Sequence, residues 1–329
     1  MTLVPVTYKG GIYQHDTIID LIEDLGGYIV QKHIIAAEVV LQCFVPKDDI
    51  ELISQIAKPL FGEVTDSPLV GTEIAVVSMS LEIHHLPHPS CDFAEYARRI
   101  GAKTNMVSPA RGPGKRISQI SDEERDVINE HDIAVLAFAN FESCIEYKWP
   151  ALRRGIEVPI IVMGGPDTET LKRIIHPAAD GYVGNVGRFM RRGKTEEEIG
   201  ILDKIVAEVT RVIEKKREEI AKDPLSVSPA RLMDLIREHV PAIHDVTSPT
   251  PLTVQMEGLR VKLPYDTFAG DLRGIEIEDG ITVADVAVVV PSRMRDYLLV
   301  KILPFSETNT VVPLLRSKTW QGWITLNRS

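Results

Sequence analysis

Between residues 71 and 222, short apolar runs alternate with stretches of helical spacing, and this rhythm restricts the fold more than any other feature of the chain. The apolar runs are Ile74–Ser78, Lys103–Val107, Ile133–Phe138, Pro159–Met163 and Gly181–Val183. The helical stretches are Cys91–Ile100, Ser121–Glu130, Glu142–Arg154, Asp167–Ile175 and Thr195–Ala221. A strand, a helix and another strand in succession close as a right-handed parallel crossover. Repetition of that unit predicts an α/β fold with a central, doubly wound parallel sheet of about five strands. Ser121-Asp122-Glu123-Glu124 places a serine and a glutamate at the spacing of a reciprocal helix cap. Asp223-Pro224 ends the long last helix, because proline has no N–H to donate and its ring clashes with the preceding turn.

The flanking stretches read differently, and three regions follow: 1–70, 71–222 and 223–329. In the first, Ile18, Ile19, Leu21, Ile22 and Leu25 recur at helical spacing from His15-Asp16, and Gly26-Gly27 closes that helix. Tyr28–Ile34 and Glu38–Val45 read as a hairpin, a second helix carries Ile50, Leu52, Ile53 and Ile56, and a short strand lies near Glu63-Val64. Strand, helix, two strands, helix and strand is the order of a ferredoxin-like α+β module, a name for a fold and not for a cluster. Cys43 lies between Val39, Leu41 and Val45, where packing in a core is its simplest role. The third region opens on a helix from Pro229 to Val240. Short β-like stretches follow at Leu252–Gln255, Leu259–Leu263, Ile275–Ile277, Val286–Val290, Leu298–Ile302 and Thr310–Leu314. This gives a β-rich α+β region that ends with Trp320 and Trp323, suited to docking on this domain or, favoured slightly, on a partner, because a loose Trp-rich tail would expose much apolar surface.

Chain totals exclude several classes. A formal charge of -10 argues against a nonspecific nucleic-acid binder. No apolar run reaches the ~18–20 residues of a membrane span, and the start lacks a secretion signal, so a cytoplasmic protein is expected. Three cysteines, Cys43, Cys91 and Cys144, fit a reducing compartment and cannot supply four thiolates to an ordinary iron–sulfur cluster. Neither a catalytic triad, a paired-carboxylate motif nor a Walker motif is present.

In a doubly wound sheet, ligands collect outside the carboxyl ends of the strands. Four loops fall at that rim. The first, His84-His85-Leu86-Pro87-His88-Pro89-Ser90-Cys91, carries three imidazoles and a thiol where a strand turns into a helix. These are ligand types that transition metals and clusters take, and a helix N-terminus favours the thiolate. The same loop is also what a stiff Pro-rich connection with a small packed cysteine looks like. The second loop, Ser108 to Arg116, offers glycine-rich backbone with Arg111, Lys115 and Arg116, as a ligand site or as a basic turn against a partner. The third runs from Ala139 through Asn140 to Cys144, with the cysteine on the first turn of its helix, either a second thiolate or a buried helix residue. The fourth, Gly164-Gly165-Pro166-Asp167, is a tight turn and helix cap whose N–H groups also suit a ligand.

Gly71-Thr72-Glu73-Ile74-Ala75-Val76-Val77, the His84–Cys91 loop, and Gly101-Ala102-Lys103-Thr104-Asn105-Met106 resemble the methanogenesis marker protein 7 family. The resemblance runs over nearly the whole chain, including Tyr8-Lys9-Gly10-Gly11-Ile12-Tyr13. The central region alone is similar to protein C of the methyl-coenzyme M reductase operon. That family has a Lys-Pro-Val-Cys segment where this chain has His88-Pro89-Ser90-Cys91, followed in both by an acidic and an apolar residue, here Asp92-Phe93. Protein C lacks the flanking modules, so the resemblance to it carries over to the centre only.

The resemblance implies a place in the ATP-dependent reductive activation of methyl-coenzyme M reductase in methanogenic archaea. It implies as partners protein C, the reductase, other methanogenesis marker proteins and a separate ABC-type ATPase. It also implies a complex iron–sulfur cluster of the nitrogenase-precursor type, shared with a partner chain and held by few protein ligands. On that implication Cys91 is an iron ligand, with Cys144 as a second thiolate. His84, His85 or His88 is then a further ligand or a donor to cluster sulfur, with His88 first among them as a metal ligand. Arg111, Lys115 and Arg116 would neutralise cluster charge, with Asn140, Gly164 and Gly165 completing the rim. The expected role is an electron-transfer and assembly subunit. The alternatives are a docking scaffold without a metal of its own and, weighing least, an independent enzyme, since no acid–base or nucleophile set is recognisable.

Overall fold

The computed structural model describes residues 3–35, 37–78, 89–107, 120–187, 195–248 and 250–312. The N-terminal module runs β1 (Leu3–Gly11), α1 (His15–Asp24), β2 (Tyr28–Ile35), β3 (Glu38–Pro46), α2 (Ile50–Ala57) and β4 (Glu63–Asp66). Its sheet has the order β2-β3-β1-β4, with each neighbouring pair antiparallel. This is the split βαβ arrangement that the order of elements predicts. The helical spacing of α1 and α2 puts Ile18, Ile22, Ile53 and Ala57 into one core with Val6, Tyr8, Val39, Leu41, Cys43 and Val45. Cys43 is therefore a core residue, its thiol donating to the Val6 carbonyl at 3.6 Å. Gly26, at φ 82, supplies the left-handed residue that closes α1.

The central region runs β5 (Glu73–Ser78), α3 (Pro89–Arg99), β6 (Lys103–Val107), α4 (Asp122–Asn129), β7 (Ile133–Ala137), α5 (Glu142–Arg153), β8 (Ile160–Met163), α6 (Thr168–Ile174), β9 (Gly181–Val183) and α7 (Glu196–Lys222). The five strands form a parallel sheet in the order β6-β5-β7-β8-β9. Strands β5, β7 and β8 are buried along their whole length, which is why they read as unbroken apolar runs. Alternate side chains serve two layers. Ala75, Val77, Ala134, Leu136, Ile160 and Val162 face Ile128 of α4, Ile145, Trp149 and Leu152 of α5, and Leu171 of α6. On the other layer α3 and α7 touch, joined by the Tyr96 hydroxyl donating to Asp203 at 2.5 Å. Both α4 and α7 begin with reciprocal caps, Ser121 with Glu124 and Thr195 with Glu198.

The amino edge of this sheet is polar. The Asn105 amide donates to Glu73 at 2.6 Å and lies 2.9 Å from the His131 ring, and the Glu73 N–H donates to Asp132 at 2.7 Å. Glu130 accepts from the Ser292 hydroxyl at 2.7 Å and from the Arg293 N–H at 2.5 Å.

The C-terminal region runs α8 (Pro229–His239), β10 (Leu252–Gln255), β11 (Gly258–Val261), α9 (Tyr265–Arg273), β12 (Glu276–Glu278), β13 (Ile281–Thr282), α10 (Val283–Val286), β14 (Ala287–Pro291), β15 (Leu298–Ile302) and α11 (Phe305–Thr308). Its main sheet has the order β10-β11-β15-β14, and β12 pairs with β13. Leu232, Met233 and Ile236 of α8 pack with Leu259, Val300 and Ile302, and Val30 of β2 joins that core. Helix α9 went unmarked in the sequence because its apolar residues are few, Ala269 and Leu272 being the buried pair. The expected strand at Thr310–Leu314 is absent from Thr310–Val312, where the Val312 N–H instead makes one bond, to Ser226 at 2.7 Å. The rest of that stretch, and Trp320 and Trp323, lie outside the described residues.

The chain divides into two compact units: Met1–Gly71, Pro224–Val290 and Leu298–Ser329 in one, and Thr72–Asp223 with Pro291–Tyr297 in the other. No described helix is long and apolar enough to cross a membrane.

Candidate functional site

Connections from β5 and β7 leave in opposite directions. Strand β5 leads through α3 to β6 on one side, and β7 leads through α5 to β8 on the other. The two strands are neighbours, with Ser78 level with Ala137 at their carboxyl ends. A doubly wound sheet opens a crevice where its order reverses in this way, and that crevice is where such sheets take ligands. The reversal places the start of α3, which carries Cys91, and the Asn140 loop after β7 on either side of it.

Cys91 sits on the first turn of α3, and its thiol is exposed. Phe93, Ala94 and Ala97 hold the inner face of this helix on the sheet and leave the cysteine on the outer one. Cys144 is on the first turn of α5 and is also exposed, so it is not the buried helix residue that its neighbours Ile145 and Trp149 are. Trp149 anchors α5, donating from Nε1 to the Pro177 carbonyl at 2.7 Å and meeting Phe138 edge-on at 6.4 Å. Phe141 and Tyr147 lie exposed three residues to either side of Cys144. The two thiols share one rim but belong to opposite layers, since α3 packs with α7 and α5 packs with α4 and α6.

Asn140 and Gly165 are brought together. A Cβ on Gly165 would run into the Asn140 side chain, so the absence of a side chain there lets the β7 and β8 loops close on each other. Gly164 is buried and its backbone is committed: its N–H donates to Val183 at 3.1 Å and its carbonyl accepts from Val186 at 2.9 Å. That N–H is therefore spent on the fold rather than turned to the crevice. Asp167 caps α6, accepting from the Thr170 N–H at 2.9 Å and hydroxyl at 2.8 Å, and these bonds hold its carboxyl below the usual carboxylate range. Ser78, not singled out in the sequence, ends β5 at the same rim with its hydroxyl buried and without a hydrogen-bond partner. Its signal was present: it is the one polar residue closing the run Ile74-Ala75-Val76-Val77.

His84, His85, His88, Arg111, Lys115 and Arg116 lie outside the described residues. Among the described residues, no three His, Cys, Asp or Glu side chains gather as a metal-ion site. His176 and His239 make bonds to carbonyls of their own local turns, at 2.8 and 3.0 Å, as residues of surface and packing. Cys43 is sealed in the N-terminal core, where burial pushes its thiol up to about 12. Two reachable thiols do not make an ordinary four-cysteine cluster.

The family model described as methyl-coenzyme M reductase operon protein C matches residues 3–275, which extends past the central region into both flanks. A Methanocaldococcus jannaschii protein named uncharacterized protein MJ0094 is 40% identical over 302 residues, covering 92% of this chain and 94% of its own. Methyl-coenzyme M reductase I operon protein C of the same organism is 29% identical over 109 residues, covering 30% of this chain and 54% of its own. Among solved structures, a GsuK channel bound to NAD aligns at 12% identity and a TM-score of 0.25, covering 65% of this chain and 40% of that one. Matched by its model over most of its length, the chain belongs to the methyl-coenzyme M reductase operon protein C family.

Proposed function

We propose that this protein is a subunit, without ATPase activity of its own, of the assembly that activates methyl-coenzyme M reductase, and that within its family it is of the methanogenesis marker protein 7 kind. In this reading it works with protein C, the reductase, other marker proteins and an ABC-type ATPase. It helps to hold a complex iron–sulfur cluster shared with a partner chain. Bound there, such a cluster supplies single electrons at low potential. The chain's own part is to present ligands. The observation that carries the reading is the exposed Cys91 thiol on the first turn of α3, beside the reversal of strand order. Cys144 offers a second sulfur from the opposite layer, and the His84–His88 loop leads directly into α3.

The test is anaerobic purification of the assembly from its native source, with iron analysis and EPR. Cys91→Ala is expected to lower bound iron and remove the cluster signal while the subunits still co-purify. Unchanged iron and unchanged reductase activation would reject the cluster reading. A docking scaffold is the second reading, favoured by the lack of a three-ligand group among the described residues. It predicts that subunit assembly alone suffers when the rim is altered.

A further inference from the structure

Helix α5 is the middle one of three that follow β6, β7 and β8 and pack on one face of the parallel sheet. Ile145, Trp149 and Leu152 are its buried residues and hold it on that sheet. The side opposite to them, at helical spacing, carries Ser143, Tyr147, Ala151 and Arg154, all exposed. Tyr147 is 86% exposed, and Phe141, at the helix start, is 74% exposed. An outer helix face is ordinarily polar along its length. Here the middle is aromatic and small, with Pro150 exposed beside Ala151, and the charge is sorted to the two halves. Glu142 and Glu146 lie in the first half, and Lys148, Arg153 and Arg154 in the second. The chain makes little use of these charges itself. Glu142 meets Arg173 at 3.7 Å, with both side chains more than half exposed, and Arg153 reaches the Ile156 carbonyl at 3.4 Å. Exposed aromatic side chains on a rigid helix serve as anchors for something that binds.

We infer that two copies of this chain meet here, α5 against α5 in antiparallel sense about a two-fold axis. Such a contact must be complementary to itself, and the order of residues along α5 is. The register that sets Tyr147 against the second copy's Lys148 also sets Phe141 against its Arg154, Glu142 against its Arg153 and Cys144 against its Ala151. Each pair occurs twice. Cation meets ring, acid meets base and small meets small. Glu142, Glu146 and Arg153 lie on one flank of the helix, and in this arrangement each flank faces its own counterpart, so the acidic half of one copy lies on the basic half of the other. A parallel pairing would set acid on acid. A foreign partner would require no such match within one helix. Cys144 lies on the other flank, at the border of the contact, so its thiol stays within reach of small reagents. The inference does not rest on the cluster reading, since no metal takes part.

The test is sedimentation of the full chain over a range of concentrations, joined to oxidative cross-linking. The unaltered protein is expected to show a dimer whose share rises with concentration. Tyr147→Glu is expected to weaken association by about tenfold or more, with unchanged circular dichroism because the residue is exposed. Glu142→Lys is expected to weaken it as well, and Glu142→Lys with Arg153→Glu to restore it, which a merely structural role would not do. Cross-linking reads the register. In a Cys91→Ser background, Ala151→Cys is expected to give a covalent dimer through the second copy's Cys144. Within one helix those two positions are ~10 Å apart along the axis, too far to bond to each other. Adding Cys144→Ser is expected to abolish the covalent dimer. A monomer at every concentration would overturn the proposal, as would a dimer that Tyr147→Glu leaves unchanged or a covalent dimer that forms without Cys144.

Discussion

Tyr8 carries a hydroxyl that the fold covers and does not pair. Leaving a buried polar group unsatisfied costs roughly 1–3 kcal/mol. Tyr8→Phe is therefore expected to leave stability unchanged or raise it by about 1 kcal/mol in urea denaturation, whereas Gly62→Ala, which drives a methyl into the same ring, is expected to lower it by more than about 1 kcal/mol. A loss in the phenylalanine variant would reveal a partner for the phenol. Cys43 sets a pH limit. Burial lifts its thiol from an ordinary value of 9.0 to about 12, so the folded state holds that proton more tightly than the unfolded one. Its contribution is fully present below pH 9.0 and is lost as pH rises from there towards 12. Cys43→Ala is expected to flatten the alkaline limb of a stability–pH curve. In native protein at neutral pH, a thiol reagent is expected to count two cysteines, Cys91 and Cys144, and the third only after unfolding.

Helix ends in the parallel sheet are set locally. Ser121 accepts from the Glu124 N–H at 3.2 Å while Glu124 accepts from the Ser121 N–H at 2.7 Å, so two N–H groups at the α4 start are satisfied by residues three apart. Ser121→Ala is expected to cost about 1 kcal/mol, read as a shift in denaturation midpoint without a change in slope. Helix α7 is tied to β9 in another way. Glu208 accepts from the Tyr182 N–H at 3.2 Å and pairs with Arg211 at 2.9 Å, and the Arg211 bond holds its carboxyl below the usual glutamate range. The caps are legible in the sequence because their partners are neighbours. The Glu208 bond to β9 is not, because its partner lies 26 residues away.

The compact units cut across the chain order. Residues of the N-terminal module and of the C-terminal region share a unit, and Val30 of β2 packs into the core built on α8, β11 and β15. Val30→Asp is accordingly expected to reduce amide-exchange protection in β10 and β11 as well as in β2, by the equivalent of about 2 kcal/mol. Loss of protection confined to β1–β4 would show that the two parts are energetically separate. Family membership covers residues 3–275 and so includes the N-terminal module together with the parallel sheet.

Patterns of neighbouring residues were enough to read the parallel sheet, the ferredoxin-like order, most helix limits and the Ser121 cap, because strand burial, helical spacing and caps depend on side chains a few positions apart. They were also enough to bring the Asn140 and Gly164-Gly165 loops into view, since a loop after a buried strand must emerge at its carboxyl end. What depended on distant contacts was hidden until the chain was folded. The direction in which β5 and β7 part, the closure of Asn140 on Gly165, the exposure of Cys144, the unpaired hydroxyls of Tyr8 and Ser78, and the sharing of one unit by both ends of the chain are of this kind. Each is decided by which elements meet in space, and local spacing carries no record of that.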